Sequence, residues 1–211
     1  MKKALITFVK APIDGLVKTR LQADLPKGRA VNIYKSFIKD SASQCLQLKG
    51  VSRLLGCAPD SSHPFLKNIA KTYDFEMFDQ RGRTLGDKIV NAFEDHFKKN
   101  YEAVVLIGSD SPTIPLEYIK LAYKELKEHE FVVGPCCDGG IYMIAARGEI
   151  NSRIFSNIPW DSSDVLNLVM EKLYRYKINF SLLPFWYDID NIDDLKFYKL
   201  HKKYLQNRTQ K

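Results

Sequence analysis

The sequence predicts a single α/β domain: three layers, α/β/α, around a mostly parallel, mixed sheet. Three observations lead there. Short apolar runs alternate with stretches of helical period over most of the 211 residues, which is the pattern of a sheet covered by helices on both faces. The run Ala103-Val104-Val105-Leu106-Ile107 is continuous rather than alternating, as in a central strand buried on both sides. Finally, no internal repeat, low-complexity segment or linker divides the chain. The domain is assigned to residues 1–205, with 206–211 as a basic C-terminal tail.

The elements follow in order. Ala4 to Val9 is a first strand, and Lys10 to Gln22 a loop opened by Pro12 and Gly15. Ala30, Tyr34, Phe37, Ile38, Ala42, Cys45 and Leu48 fall near helical spacing, so a long helix is expected from about 28 to 49, stopped by Gly50. Val51 to Ala58 is a second strand, and Pro59-Asp60-Ser61-Ser62 a turn carrying a helix-start signal for 63–72. Asp74 to Phe78 is a short third strand. Leu85, Ile89, Phe93 and Phe97 recur every fourth residue, a buried helical stripe. After the central strand at 103–107, Pro115 suits the first turn of a helix to about Glu128. Strands follow at 131–133 and 141–146 around a loop, then an irregular stretch at 151–159. A helix from Asp164 to Tyr176, capped by Ser162 or Ser163, a strand at 178–183 and a closing helix from Ile192 complete the chain.

Composition narrows the class. Hydrophobic residues make up 45% and charged residues 27%, ordinary for a soluble globular protein. No run of 18 apolar residues exists, so no integral membrane segment is expected. The start MKKALITFV lacks a small-residue cleavage site and reads as a strand rather than a signal peptide. Cys45, Cys57, Cys136 and Cys137 show no metal spacing, so reduced thiols in a cytoplasmic protein are expected. The adjacent pair Cys136 and Cys137 is read first as small hydrophobes, with a redox role as the alternative. The net charge of +7 gathers partly in HKKYLQNRTQK, read as a solvated helix end. With no basic-aromatic signature, nucleic acid is not an expected partner. Nothing in the sequence fixes an oligomeric state.

Five loops carry the unusual residues, and all follow strands. Ligands of open α/β sheets bind just beyond the carboxyl ends of strands. The first loop, KAPIDGLVKTRL, sets Lys10, Lys18 and Arg20 around Gly15; cations and bare backbone suit phosphate oxygens, although solvated surface charge is the plain alternative. Neither GxxxxGK[ST] nor GxGxxG occurs, which argues against P-loop NTPases and dinucleotide enzymes. The second loop, QRGRTLGDKI, places Gly82 and Gly86 around Arg83-Thr84-Leu85, either close backbone for a flat base or a helix start capped by Thr84. In the third, Gly108-Ser109-Asp110-Ser111-Pro112, Asp110 suits a Mg²⁺ ligand, since Mg²⁺ takes one or two protein carboxylates and fills its shell with phosphates and water; the alternative is a carboxylate capping its own turn. In the fourth, GPCCDGGIYMI, Asp138 precedes Gly139-Gly140, an acceptor site or a hairpin turn. The fifth is Asp188-Ile189-Asp190-Asn191. Residues two apart on extended backbone point the same way, so both carboxylates are placed toward the metal of Asp110, unless Asp190 or Asn191 caps the last helix. A phosphatase built on this DID is disfavoured by its C-terminal position.

Taken together, these stretches resemble the glycosyltransferase-like proteins of the nucleotide-diphospho-sugar transferase (GT-A) superfamily. KAPIDGLVKTRL, QRGRTLGDKI, LIGSDSPTIP, GPCCDGGIYMI, IPWDSSDVL and DIDNIDDL carry the resemblance in order across nearly the whole chain. A more distant similarity links it to phospholactate guanylyltransferases, through KTRL, and to molybdopterin-cofactor nucleotidyltransferases, through DSP. The resemblance implies that Asp110 and Asp190 hold Mg²⁺ or Mn²⁺, with Asp188 as a third ligand. It implies that Lys10, Gly15, Lys18, Arg20, Ser109 and the segment Arg83, Thr84, Leu85 and Gly86 bind the nucleotide. Gly139 and Gly140 border the acceptor, with Tyr142 and Trp160 beside them, and Asp138 is the candidate base. Ala11 to Gly15 replaces the Gly-Gly loop of sugar-nucleotide pyrophosphorylases, and Ile141 replaces the first tyrosine of the usual DGGYY; the second departure bears on how an acceptor stacks. The expected activity is a metal-dependent transferase using a nucleotide-sugar and a small-molecule acceptor, with Asp110, Lys18 and Asp138 as catalytic residues. Nucleotidyl transfer to a phosphorylated substrate is the alternative, favoured by the basic first loop, and a non-catalytic nucleotide-binding protein is the alternative from another class.

Overall fold

The computed structural model of the protein describes residues 1–209. β1 (Lys3–Lys10), β2 (Val51–Ala58), β3 (Glu76–Asp79), β4 (Ala103–Gly108), β5 (Phe131–Pro135), β6 (Ile141–Arg147) and β7 (Phe180–Leu182) form one sheet in the order β3-β2-β1-β4-β6-β5-β7. β1 pairs in parallel with β2 and β4, β2 with β3, and β5 with β7. β6 alone runs against its neighbours β4 and β5. The strands other than β6 therefore end on the same edge of the sheet. All five loops singled out above leave from that edge, where a sheet of this kind binds its ligands.

The helices are α1 (Thr19–Gln22), α2 (Arg29–Cys45), α3 (Pro64–Tyr73), α4 (Leu85–Lys98), α5 (Leu116–Glu125), α6 (Val165–Arg175) and α7 (Ile192–Thr209), with a 3-10 turn at Ser152–Phe155. Two apolar cores lie on opposite faces of the sheet. α2, α3, α5 and α7 pack on one, and α4, α6 and the 3-10 turn on the other. The continuous apolar run of β4 is explained by this: Val105 and Ile107 enter one core, Val104 and Leu106 the other. Each fully buried side chain of this size is worth about 1.5–3 kcal/mol of burial, so β4 is anchored from both sides and its end is a firm base for the turn that follows.

Several local readings change. The loop expected over 10–22 contains α1, opened by Lys18 in the left-handed region at φ 50°. Leu85, expected in the buried stripe of α4, is 41% exposed, while Ile89 and Phe93 are buried. It sits in the first helical turn, ahead of the part of α4 that meets the sheet. Thr84 caps α4, its hydroxyl accepting from the Asp87 amide while Asp87 accepts from the Thr84 amide. His63, the residue after the expected Pro59-Asp60-Ser61-Ser62 turn, caps α3 through Nδ1. The stretch expected to be irregular over 151–159 holds the 3-10 turn, because Ile154 and Phe155 are drawn into the core. α7 continues to Thr209, into the segment expected as a basic tail, of which 210 and 211 lie outside the described residues.

His96 is a buried polar group of α4. Its Nδ1–H donates to the Ala92 carbonyl (2.7 Å), its ring packs against Phe78 and Tyr101, and Nε2 has no partner. Burial holds its pKa below the ordinary 6.5, because a proton on Nε2 would have nowhere to donate. As pH falls through 6.5 the unfolded chain takes up a proton that the folded chain refuses, so stability is complete above that pH and lost below it. Urea midpoints at pH 7.5 and 5.5 are predicted to show this loss, with a slope no steeper than about 1.4 kcal/mol per pH unit from this group. His96→Phe is predicted to flatten that part of the dependence.

Candidate functional site

The turn after β4 and the segment before α7 are joined residue by residue. The Ile189 amide donates to the Asp110 carbonyl at 3.1 Å. The Ser111 hydroxyl donates to Asp188 Oδ1 in a short hydrogen bond. The Thr113 hydroxyl donates to Tyr187 Oη at 3.0 Å, and that phenol also meets His201 Nδ1 at 2.7 Å. The Thr113–Tyr187 and Ser111–Asp188 contacts span 74 and 77 residues of sequence, and with the Ile189–Asp110 backbone bond they fix the Asp-Ile-Asp segment against the end of β4.

Lys18 closes the arrangement from the first loop. Its ammonium lies 2.5 Å from Asp110 Oδ1, 3.0 Å from Asp190 Oδ1 and 2.6 Å from the Ile189 carbonyl. An ammonium has three donors, and all three are used. The Lys18 side chain is only 4% exposed, whereas Asp110 and Asp190 are 48% and 37% exposed. Burial alone lowers the lysine pKa, but the charges of Asp110 and then Asp190 outweigh it and hold the ammonium above its ordinary range. Arg20, 72% exposed, stands 3.9 Å from Asp190 Oδ2.

Asp190 is thus free of the helix cap. Asn191 caps α7, its Oδ1 accepting from the amides of Asp193 and Asp194, while Asp194 reaches back to the amides of Asp190 and Asn191. Asp188 does not meet Lys18 directly. It groups with Cys136 and Asp138, the three ligand atoms lying within 4.8 Å of one another. Burial pushes the Asp188 carboxyl up to about 7, the charges of Asp110 and Asp138 adding to this, while the Ser111 hydrogen bond and the Lys18 charge oppose it. Burial likewise pushes the Cys136 thiol up, with the Asp188 charge adding to it, so Cys136 is a protonated thiol rather than a reactive thiolate. Cys137 is exposed, and all four cysteines are free.

The other residues named from the sequence are placed as follows. Ser109 is buried and its hydroxyl meets Tyr34 Oη at 2.7 Å; the same phenol accepts from the Lys10 amide at 2.9 Å. Gly15 is exposed with φ 81°. Arg83 is exposed, the Thr84 hydroxyl is occupied by its cap, and Gly86 packs so closely that a Cβ would lie 2.6 Å from the Phe155 carbonyl oxygen. The Asp138 loop is the β5–β6 hairpin turn, with Asp138 Oδ1 accepting from the Gly140 amide at 2.9 Å. Gly139 has φ 88° and lies against Ser163, whose carbonyl would stand 2.0 Å from a Cβ, so this position tolerates no side chain. Trp160 stacks on Phe155 and is half-buried. Tyr142 is 3% exposed and its hydroxyl donates to the Pro184 carbonyl, tying β6 to the segment after β7 rather than facing solvent. The structure therefore gathers Lys18, Arg20, Asp110, Asp188, Asp190 and Asp138 on one edge.

Three contributors are not legible in the sequence. Tyr34 reads there as a core residue of a helical stripe, and no pattern reveals the partner of a buried hydroxyl. Ser111 acts on Asp188 and Thr113 on Tyr187 across long sequence separations, which carry no local signal.

The fold is that of the nucleotide-diphospho-sugar transferases. A solved protein from Desulfovibrio desulfuricans G20, assigned by name to that class, is 30% identical over 92% of this chain and 84% of its own, with a TM-score of 0.84. The CMP:2-keto-3-deoxy-manno-octonic acid synthetase, solved with CTP, covers 97% of this chain and 99% of its own at 12% identity and a TM-score of 0.61. The 4-diphosphocytidyl-2C-methyl-D-erythritol synthase of Anaerococcus prevotii DSM 20548 covers 96% and 97%, also at 12% identity and 0.61; these last two speak for the fold alone. Residues 41–162 match the family described as DUF2064, uncharacterized proteins conserved in bacteria, and the chain belongs to that family. No curated protein matches it.

Tyr34 ties the start of the first loop to the Asp110 turn, which generates a test. Tyr34→Phe leaves the Lys10 amide and the Ser109 hydroxyl without their shared partner in a buried place. The variant is predicted to lose about 1–3 kcal/mol of stability, read as a lower urea midpoint at unchanged slope.

Proposed function

We propose that the protein is a divalent-metal-dependent transferase that takes a nucleotide-sugar as donor and transfers its sugar to a small-molecule acceptor. The observation that carries this reading is the convergence of Asp110, from the turn after β4, and Asp190, from the segment before α7 and 80 residues on in the chain, on one cation, the Lys18 ammonium. Two half-exposed carboxylates already arranged around a positive charge fit a hard divalent ion such as Mg²⁺ or Mn²⁺, which prefers oxygen donors. When bound, such an ion neutralises phosphate charge as a nucleoside diphosphate leaves.

The chain's own residues supply the rest. Asp110 and Asp190 are the metal-holding carboxylates, on a turn anchored by β4 and by the Asn191 cap. Arg20 stands beside Asp190 with its guanidinium in solvent, placed to meet phosphate oxygens by the bidentate geometry arginine allows. Lys10 and the exposed backbone around Gly15 extend that basic rim. Asp138 and Asp188 group together with Cys136, next to the Gly139-Gly140 backbone of the hairpin turn, which is the acceptor side in this reading. An acceptor hydroxyl must give up a proton as it attacks the sugar, and Asp138 is the carboxylate that receives it.

Nucleotidyl transfer to a phosphorylated substrate is the second reading, favoured by the exposed cations of the first loop. The two differ in what the acceptor side must do. A phosphate nucleophile arrives already ionised and needs no base, so the carboxyl pair at the acceptor side favours sugar transfer. No helix of the described residues is long and apolar enough to cross a membrane, and a small acceptor is the partner proposed.

Thermal shift against nucleoside diphosphates, triphosphates and nucleotide-sugars, each with and without Mn²⁺, tests this. A nucleotide-sugar at 100 times its dissociation constant is predicted to add about 2.7 kcal/mol of stability, with most of the gain requiring Mn²⁺. Asp110→Asn and Asp190→Asn are each predicted to remove the Mn²⁺-dependent part, and Arg20→Ala to weaken binding about tenfold, the cost of one charge-assisted hydrogen bond. Stabilisation by a triphosphate and by no nucleotide-sugar would replace sugar transfer with nucleotidyl transfer.

A further inference from the structure

The first loop does something that a phosphate-binding loop alone would not require. Lys18 spends every donor on the carboxylate pair and the Ile189 carbonyl, at 2.5, 3.0 and 2.6 Å, and its side chain is almost wholly removed from solvent. An ammonium so placed has no donor left for a phosphate. The exposed cation of the Lys18-Thr19-Arg20 triplet is Arg20, on the solvent side of Asp190. The KTR triplet thus divides two tasks between its cations: one is an internal counter-ion, the other faces outward.

We infer that Lys18 is a built-in monovalent cation of the metal site, which holds Asp110 and Asp190 in place without metal and keeps divalent-ion binding weak until nucleotide phosphates are present. This rests on the reading of Asp110 and Asp190 as metal-holding carboxylates. Two carboxylates bring two negative charges, and Lys18 cancels one within hydrogen-bond distance. Arg20 offsets part of the other. What remains is too little negative charge to take a divalent ion out of water, since such ions need several anionic or strongly polar oxygens to replace their hydration. Phosphates from a nucleotide restore the deficit, so ion and nucleotide enter together. The arrangement also explains why Lys18 occupies the left-handed region at φ 50°. A non-glycine residue there carries backbone strain, and its contacts hold the chain in it so that the side chain turns inward under the carboxylates while Thr19 begins α1.

The consequence is a coupling between two ligands at one site. A nucleoside diphosphate raises the affinity for the ion, and by reciprocity the ion raises the affinity for the nucleotide by the same factor. Removing the lysine charge reverses the first half: the bare carboxylate pair binds the ion on its own. Exchanging lysine for arginine keeps the charge and keeps the ion out.

Mn²⁺ binding, followed by electron paramagnetic resonance of the free ion, tests this on the full chain without any assay of turnover. For the wild type, Mn²⁺ binding without nucleotide is expected to be weak and to tighten at least about tenfold with saturating UDP or GDP, the scale of one nearby unit charge at a partly exposed site. Lys18→Met is expected to bind Mn²⁺ without nucleotide at least about tenfold more tightly than the wild type, and adding Asp110→Asn is expected to abolish that gain. Lys18→Arg is expected to behave as the wild type. Tight Mn²⁺ binding by the wild type without nucleotide would overturn the inference while leaving the metal site standing, and this measurement does not depend on how well the methionine variant folds. An affinity in folded Lys18→Met equal to the wild type would overturn it as well. Nucleotide binding that never recruits Mn²⁺ in any variant would overturn the metal reading and the inference with it.

Discussion

The ammonium of Lys18, shared between Asp110 and Asp190, is the contact on which the site depends. Removing a lysine from water costs several kcal/mol unless partners replace its hydration, and here three oxygens do so. Those oxygens come from the turn after β4 and from the segment before α7, and the lysine comes from the loop after β1. One charged group thus makes three distant stretches of chain mutually dependent. None of them is held in its position by local structure alone.

The sheet makes such a meeting possible. With β6 the one reversed strand, the loops after β1, β3, β4, β5 and β7 share one edge. Buried strands fix where those loops start, and side-chain contacts fix where they end. Tyr34 links the loop after β1 to the turn after β4. Ser111 and Thr113 link that turn to Asp188 and Tyr187. Arg20 thus stands beside Asp190, while Asp188, two residues earlier, groups with Cys136 and Asp138.

Most of the architecture was legible in the sequence because period and burial decide it. The unbroken run at 103–107 announced a strand covered on both faces, and the alternation of strands and helices announced the layers. The short helix at Thr19 to Gln22 was not legible, since four residues give no periodicity and it is started by Lys18 in a conformation that its tertiary contacts hold. The antiparallel course of β6 was announced only by the Asp-Gly turn, one of two open readings there. At the candidate site, the residue types singled out loops that share one edge, and Asp110, Asp190, Lys18 and Arg20 come together there. What the sequence did not disclose is how they divide. Lys18, expected to face phosphate, is buried under the carboxylates, and Asp188, expected beside Asp190, turns to Cys136 and Asp138. Alternation along an extended segment predicts a shared direction, but the Ser111 hydrogen bond and the Asp110–Ile189 backbone contact set the actual one. Tyr142 shows the same limit from the other side: a tyrosine in a loop motif reads as a contact residue until the burial of its ring is seen.

A crystal structure with Mn²⁺ and a nucleoside diphosphate, with the ion located by its anomalous signal, tests the central claim most directly. The expected result is a peak held by Asp110, Asp190 and phosphate oxygens, with the Arg20 guanidinium on the phosphates. A nucleotide bound at this edge with the ion coordinated away from Asp110 and Asp190, or with no ion at all, would contradict it.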